Sequence, residues 1–294
     1  MPTLAKRKPP RQKKMPLTKY PLGVERDYRS QLLKLYKSWF SEMVKDLEIL
    51  IYPRFDDSQI DSIFESTKQK WGQLVDGFSS KVRSIAVFVK DFTTRNFNRQ
   101  MESVNKKELE VNPFINNPKV SQSINDFVSE NVRLIKNFGN QVADRLTTLV
   151  NDSIRQGQSI KTIKEHLKTE FGFGENKAKL IARDQVGKFH GNLTQIQHLE
   201  AGIDKYIWQT AQDERVRPQH RKRNKKIFSW DKPPSDGHPG QPIQCRCVAL
   251  PYFDDESESN VPSQEVESTG LSELREPLGV GFGEDGKRLF LNVR

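Results

Sequence analysis

No stretch of this sequence approaches the roughly 20 consecutive apolar residues a membrane-spanning helix needs, so no transmembrane helix is expected. The start, MPTLAKRKPP, lacks an apolar core before a cleavage site, so no secretory leader is expected. Cysteine is scarce: Cys245 and Cys247 are the only two, one residue apart. A disulfide across so short a loop is strained, which argues against a secreted disulfide framework and for reduced thiols in a cytosol. Apolar residues are thin as well, 34% of the chain against 29% charged. Globular domains usually reach about 45–50% with glycine counted, so polar tails are expected. Catalytic signatures are also missing. There is no Gly-x-Ser-x-Gly elbow, no phosphate-cradling loop and no His-Glu-x-x-His pair, which points away from an enzyme.

Positive charge is present in excess, and unevenly. The formal charge is +10; residues 251–294 carry ten acids and four bases, net −6, which leaves +16 for residues 1–250. A basic body with an acidic tail favours contact with polyanions. Residues 1–24 hold seven Lys or Arg, five prolines and no acid, and read as a basic Pro-rich disordered arm.

Residues 25–200 read as an elongated helical body. Leu32, Leu35, Trp39, Met43 and Leu47 recur at three- and four-residue steps, and Pro53 closes that run. Ser58–Leu109 forms a second helical run, in which Gly72 and Gly77 weaken continuity. Pro113 and Pro118 mark a loop, after which residues 121–156 carry a long stripe through Phe127, Ile135, Val142 and Leu149, ended by Gly157. Ser159 is placed to cap a further helix. Gly172 and Gly174 predict a break before a last helix over 175–200, closed by Gly202. His166, His190 and His198 fall on these helices and read as surface or interface residues.

After Gly202 the period shortens. Tyr206, Trp208 and Thr210 alternate with Ile207 and Gln209, and Ile227–Trp230 and Cys247–Phe253 are further short strands. Residues 201–253 thus form a small, loop-rich α+β module that needs a staple. Its aromatics Tyr206, Trp208 and Trp230 suit core packing better than base stacking. The module gathers His220, His238, Cys245 and Cys247, a donor set that suits one tetrahedral, structural zinc. A second reading stands beside it, with histidines hydrogen-bonding loops and cysteines packed as small apolar groups. Asp213 and Arg215 are placed to shape a turn. Arg215, Arg217, Arg221, Lys222, Arg223, Lys225 and Lys226 form a basic cluster able to neutralise phosphates without reading sequence. A solvated basic loop is the alternative. Residues 254–294 read as an acidic tail, Ser-rich at first, with room for one hairpin among the glycines after 279.

Four short motifs in this half of the chain occur together: Ala182-Arg183-Asp184, Gly202-Ile203 before an aromatic strand, Asp213-Glu214-Arg215, and His238-Pro239 with Cys245-Arg246-Cys247. Over about residues 155–250 the chain resembles the phage Mu F-like head morphogenesis family of minor head proteins. Two departures stand out. Many members are similar to Cys-x-x-Cys where this chain has Arg217 and His220, and relatives tend to show Asp-Gly-Lys where it has Asn224-Lys225-Lys226. The resemblance implies a minor capsid protein bound to the portal inside a tailed-phage procapsid, in the virion interior. It also implies roles in head assembly and in DNA packaging or ejection. Portal protein, major capsid or scaffolding protein and double-stranded DNA are the expected partners, with no membrane. A metal-dependent nuclease of His-Asn-His type is the competing class, and it requires a free imidazole such as His220 near Asp213 to serve as base. A purely protein-binding adaptor is the third.

Overall fold

The computed structural model describes residues 15–50, 57–103 and 117–253. The tip of the basic arm, the Pro53 stop, the helical run beyond Ser103, the Pro113 loop and the acidic tail lie outside the described residues.

Four long helices form the body: α1 Leu22–Leu50, α2 Asp57–Ser103, α3 Pro118–Arg155 and α4 Ile160–Glu200. At 1.5 Å per residue the 47-residue α2 runs about 70 Å, so the body is elongated as its periodicity requires. Each helix turns one apolar stripe inward, and the stripes meet in a single core. Trp39 and Trp71 pack at 4.8 Å between ring centroids. Their indole N–H groups donate to the carbonyls of Thr67 and Ile135 at 3.0 and 2.9 Å, so neither buried donor is orphaned. A Cβ at Gly139 would sit 2.0 Å from the Trp71 indole, so glycine there is the notch in α3 that admits α2's largest side chain. One buried polar chain crosses the core: the Tyr28 hydroxyl donates to Asn131 at 2.8 Å, and Asn131 in turn donates to Gln185 at 3.2 Å.

The helix ends follow local chemistry. Pro118 occupies the first turn of α3 behind an Asn117 cap, and Ser159 caps α4 by accepting the Thr162 N–H at 3.3 Å. Gly202, at φ +70°, ends α4 in a Schellman turn. There the Ile203 and Gly202 N–H groups reach the His198 and Leu199 carbonyls at 2.8 and 3.1 Å.

The break expected at Gly172 and Gly174 does not occur; α4 runs through both. Gly174 serves packing instead, since a Cβ there would meet the Tyr36 hydroxyl at 2.1 Å. Residues 15–21, expected within the arm, are held along the body, and α1 begins at Leu22. Thr18 donates to Ala249 at 2.8 Å and accepts from Gln100 at 2.8 Å, Gln209 donates to the Thr18 carbonyl at 2.9 Å, and Asn96 donates to that of Lys19 at 3.1 Å. Polar side chains from α2 and β1, with a backbone carbonyl of β3, thus tie down a segment whose apolar content could not.

The module carries β1 Lys205–Gln209, the short helix α5 Pro218–Arg223, β2 Ile227–Ser229 and β3 Val248–Tyr252. The three strands form one antiparallel sheet in the order β2-β1-β3, with Ile207 opposite Ile227 on one side and Leu250 on the other. Its own core is small: Tyr206, Trp208, Trp230, Ala249 and the two cysteines. The aromatics are buried, as core packing requires.

Candidate metal centre and basic face

The loop 239–245 lies on α4 over a floor made by glycine. A Cβ at Gly191 would stand 2.4 Å from the Pro239 carbonyl oxygen, and one at Gly187 would stand 2.8 Å from that of Cys245. Asp184, on the same face, accepts the Gln244 N–H at 2.9 Å. This seat fixes the cysteine turn against the body. Its signal was in the sequence as Gly187 and Gly191 four residues apart, the spacing that lets a backbone approach a helix.

His220, Cys245 and Cys247 converge on one another, all three buried, with their ligand atoms within 4.8 Å of each other. His220 Nδ1 lies 3.7 Å from Cys245 Sγ and 3.5 Å from Cys247 Sγ. Zinc bond lengths at tetrahedral angles put imidazole nitrogen and thiolate sulfur about 3.6 Å apart, so the donor spacing fits that ion. The other imidazole nitrogen, Nε2, lies 2.8 Å from Asp236 Oδ2. A carboxylate behind the ring orients a metal-binding histidine in this way and leaves Nδ1 free for the ion. Burial would raise the Asp236 carboxyl, but His220 and Arg223 outweigh it and hold the pKa below the usual range. Asp236 was not singled out from the sequence, because nothing in Ser-Asp-Gly-His-Pro-Gly distinguishes a supporting carboxylate from a turn residue.

The two thiols are unequal. The hydrogen bond with Cys247 pulls the Cys245 pKa down to about 6 against its burial, helped by the backbone N–H groups of Gly240 and Cys247 and by His220. Cys247 is pushed up by that same bond and by burial. Of the two, Cys245 is the thiol that ionises more readily, and the thiolate is the form in which sulfur serves as a soft donor.

His238 stands apart from this group. Its Nδ1 bonds the Tyr206 hydroxyl at 2.8 Å, and its ring packs on Trp230 at 4.8 Å between centroids. Burial lowers its pKa, partly offset by a backbone bond to Trp230. The four-donor set expected from the sequence is thus three donors in the fold, and the fourth imidazole braces the aromatic core beside them.

Asp213 pairs chiefly with Arg246, the residue between the cysteines, while Arg215 lies 3.9 Å away and is largely exposed. The turn-shaping contact therefore ties Asp213 to the Cys-x-Cys turn, and Arg215 contributes the lesser part. Burial opposes ionisation of Asp213, but Arg246 and then Arg215 prevail and lower its pKa. His220 takes its carboxylate from Asp236, not from Asp213, so the acid–base pair that the nuclease class invoked is not formed. Both imidazoles of the module are buried. His190 and His198, expected at a surface or interface, are buried within the chain. His190 Nδ1 meets the Thr93 hydroxyl at 2.9 Å, and the Trp230 indole donates to His198 at 3.3 Å. Burial lowers them to about 4 and about 3, so both are neutral polar links in the core at pH 7.

Of the seven basic residues expected to form a cluster, Arg215, Arg217, Arg221, Lys222, Lys225 and Lys226 are exposed. Arg223 is not available in the same way. It binds Asp236 and lies over the Trp208 ring at 5.0 Å, so it belongs to the support of the donor cluster. The turn that follows survives the loss of glycine, since Lys225 itself adopts φ +68° and its N–H reaches the Trp208 carbonyl at 2.7 Å. Asn224 completes the turn by accepting the Thr210 N–H at 3.0 Å.

Among the described residues no helix is long and apolar enough to cross a membrane. No solved structure matches the chain. A Haemophilus influenzae (strain ATCC 51907 / DSM 11121 / KW20 / Rd) protein named "Uncharacterized protein" is 36% identical over 140 residues, 47% of this chain and 31% of that protein. The aligned part thus spans about a third of that relative's length. The family described as Phage Mu protein F like protein matches residues 144–250. Those residues run from the second half of α3 to β3 and include the glycine-floored seat, the donor cluster and the basic face. Over that region the chain is similar to the Phage Mu protein F like family.

Proposed function

We propose that this chain is a minor head protein of a tailed phage, acting in head morphogenesis without a catalytic step of its own. The carrying observation is the family match over residues 144–250, which takes in the α+β module as far as Leu250 in β3, together with the helix on which it is seated. In this reading the virion interior beside the portal is its location. The portal protein, with the major capsid or scaffolding protein, is its protein partner, and DNA is met during packaging or ejection.

One zinc ion, held by His220, Cys245 and Cys247, supplies the staple that the small module core calls for. Asp236 orients the histidine and Trp208 shields the sulfurs. The surface above this brace is cationic: six exposed Arg and Lys side chains lie between positions 215 and 226. Such a face holds the phosphate backbone without reading bases.

Filter binding of the purified chain to duplex DNA over a salt series tests this. Engagement of about four to six phosphates predicts a log–log slope near −4 to −5. Binding absent at low salt, or insensitive to salt, sinks the DNA part. Co-purification with the portal protein tests the protein partner, and nicking of supercoiled plasmid in magnesium that His220→Ala abolishes would restore the nuclease class.

A further inference from the structure

We propose that the metal site is a switch for the polyanion-binding face: occupancy of the His220–Cys245–Cys247 cluster sets whether α5 is formed and presented. The inference rests on the DNA-binding reading above and adds its regulation.

The argument begins with α5 itself. Six residues are far too few for a helix to persist in water, because nucleation fixes several residues for each hydrogen bond gained. It must be held from outside. Its one buried residue is His220. The cap residue, Arg217, makes no side-chain capping bond, and basic residues without an acid fill the helix. Local chemistry therefore does little for α5, and like charges along it act against folding.

Beside the Arg217 and Arg221 bonds to the Ile243 and Glu214 carbonyls and the Trp208 ring against His220, α5 is held by two polar anchors on the far loop. Asp236 accepts from Gln219 at 2.7 Å and meets His220 at 2.8 Å, and it also binds Arg223, so one carboxylate gathers three side chains of the helix. The sulfurs of Cys245 and Cys247 face the other side of the same imidazole. Without an ion these sulfur contacts are weak hydrogen bonds. With an ion they become coordinate bonds, and the helix is joined through His220 to a cysteine turn already seated on α4. The residues that would meet phosphate, Arg217, Arg221 and Lys222, ride on that helix. Sites joined by a shared element in this way couple by about 5- to 150-fold.

The test uses the full chain, stripped with chelator and then reloaded with zinc alone. Four readings are taken: zinc content, amide exchange over residues 218–226, tryptophan fluorescence and duplex-DNA affinity at fixed low salt. The expected result is one zinc per chain, slower exchange in α5 on loading, and DNA affinity about tenfold tighter than in the stripped chain. Asp236→Asn, which keeps all three donors, should weaken zinc and DNA binding together. Equal DNA affinity and equal α5 exchange with and without zinc overturn the coupling while leaving the DNA reading standing. Zinc-dependent protection of α5 with no DNA bound in either state overturns the DNA reading instead. No zinc taken up by a chain whose fluorescence shows an intact core overturns the switch at its root.

Discussion

The glycine-floored seat makes a prediction in which one substitution, made twice in one helix, has opposite signs. Gly172 and Gly191 both lie within α4 with ordinary helical backbone. A Cβ at Gly172 meets nothing within 4 Å, so Gly172→Ala changes only backbone freedom and should stabilise the chain by about 0.5–1 kcal/mol. Gly191→Ala gains the same helix preference, but its Cβ would stand 2.4 Å from the Pro239 carbonyl and 3.4 Å from Gly240 Cα. Backbone cannot swing aside as a side-chain tip does. The loop must lift by roughly 1 Å, at the 1–3 kcal/mol cost usual for overpacking. That movement also strains the Gln244 bond to Asp184 and displaces the cysteine turn. The helix preference is common to both, so the two variants should differ by the overpacking cost, about 1–3 kcal/mol, with Gly191→Ala the weaker. Urea unfolding followed by tryptophan fluorescence reads this directly, because Trp39 and Trp71 report the body while Trp208 and Trp230 report the module. Equal stabilisation by both substitutions would show that the loop is not seated on α4 as described.

Other consequences are as direct. Lys225→Gly should stabilise by about 0.5–1 kcal/mol, since a lysine at φ +68° occupies a backbone region that glycine enters freely; a lower unfolding midpoint would contradict the turn geometry. Acid should destabilise the core through His190 and His198, whose folded pKa values, about 4 and about 3, lie below the ordinary 6.5. Their contribution is complete above pH 6.5 and is lost as pH falls, by up to about 1.4 kcal/mol per unit for each histidine; a flat profile between pH 6.5 and 4.5 in which neither matters would refute their burial as neutral rings. Arg217→Cys supplies a thiol three residues before His220, and zinc retention against a competing chelator should rise by about an order of magnitude. Unchanged retention would place position 217 beyond reach of the ion.

Much of the helical body was legible in the sequence because amphipathic periodicity is a local property. Each helix needs an apolar face, and the faces through Trp39, Ile135 and Phe189 are written at fixed intervals. Caps are local as well, so Ser159 and Gly202 stood out. Glycine inside a helix is ambiguous for a physical reason: its weak helix preference is visible in sequence, whereas the Tyr36 ring that requires Gly174 comes from another helix. The same holds for His190 and His198, whose polar side chains look exposed until Thr93 and Trp230 close over them.

The site divides along the same line. Sequence alone determined which residue types were available: two thiols, two imidazoles and a run of cations in a module with little apolar material. Tertiary structure decided which of them meet. It selected three donors out of four, gave His220 the carboxylate of Asp236, paired Asp213 with Arg246 and withdrew Arg223 from the surface. Donor chemistry belongs to a side chain wherever it stands, but coordination depends on distances of a few ångströms between segments some 25 residues apart, and only the packing of the loop on α4 sets those.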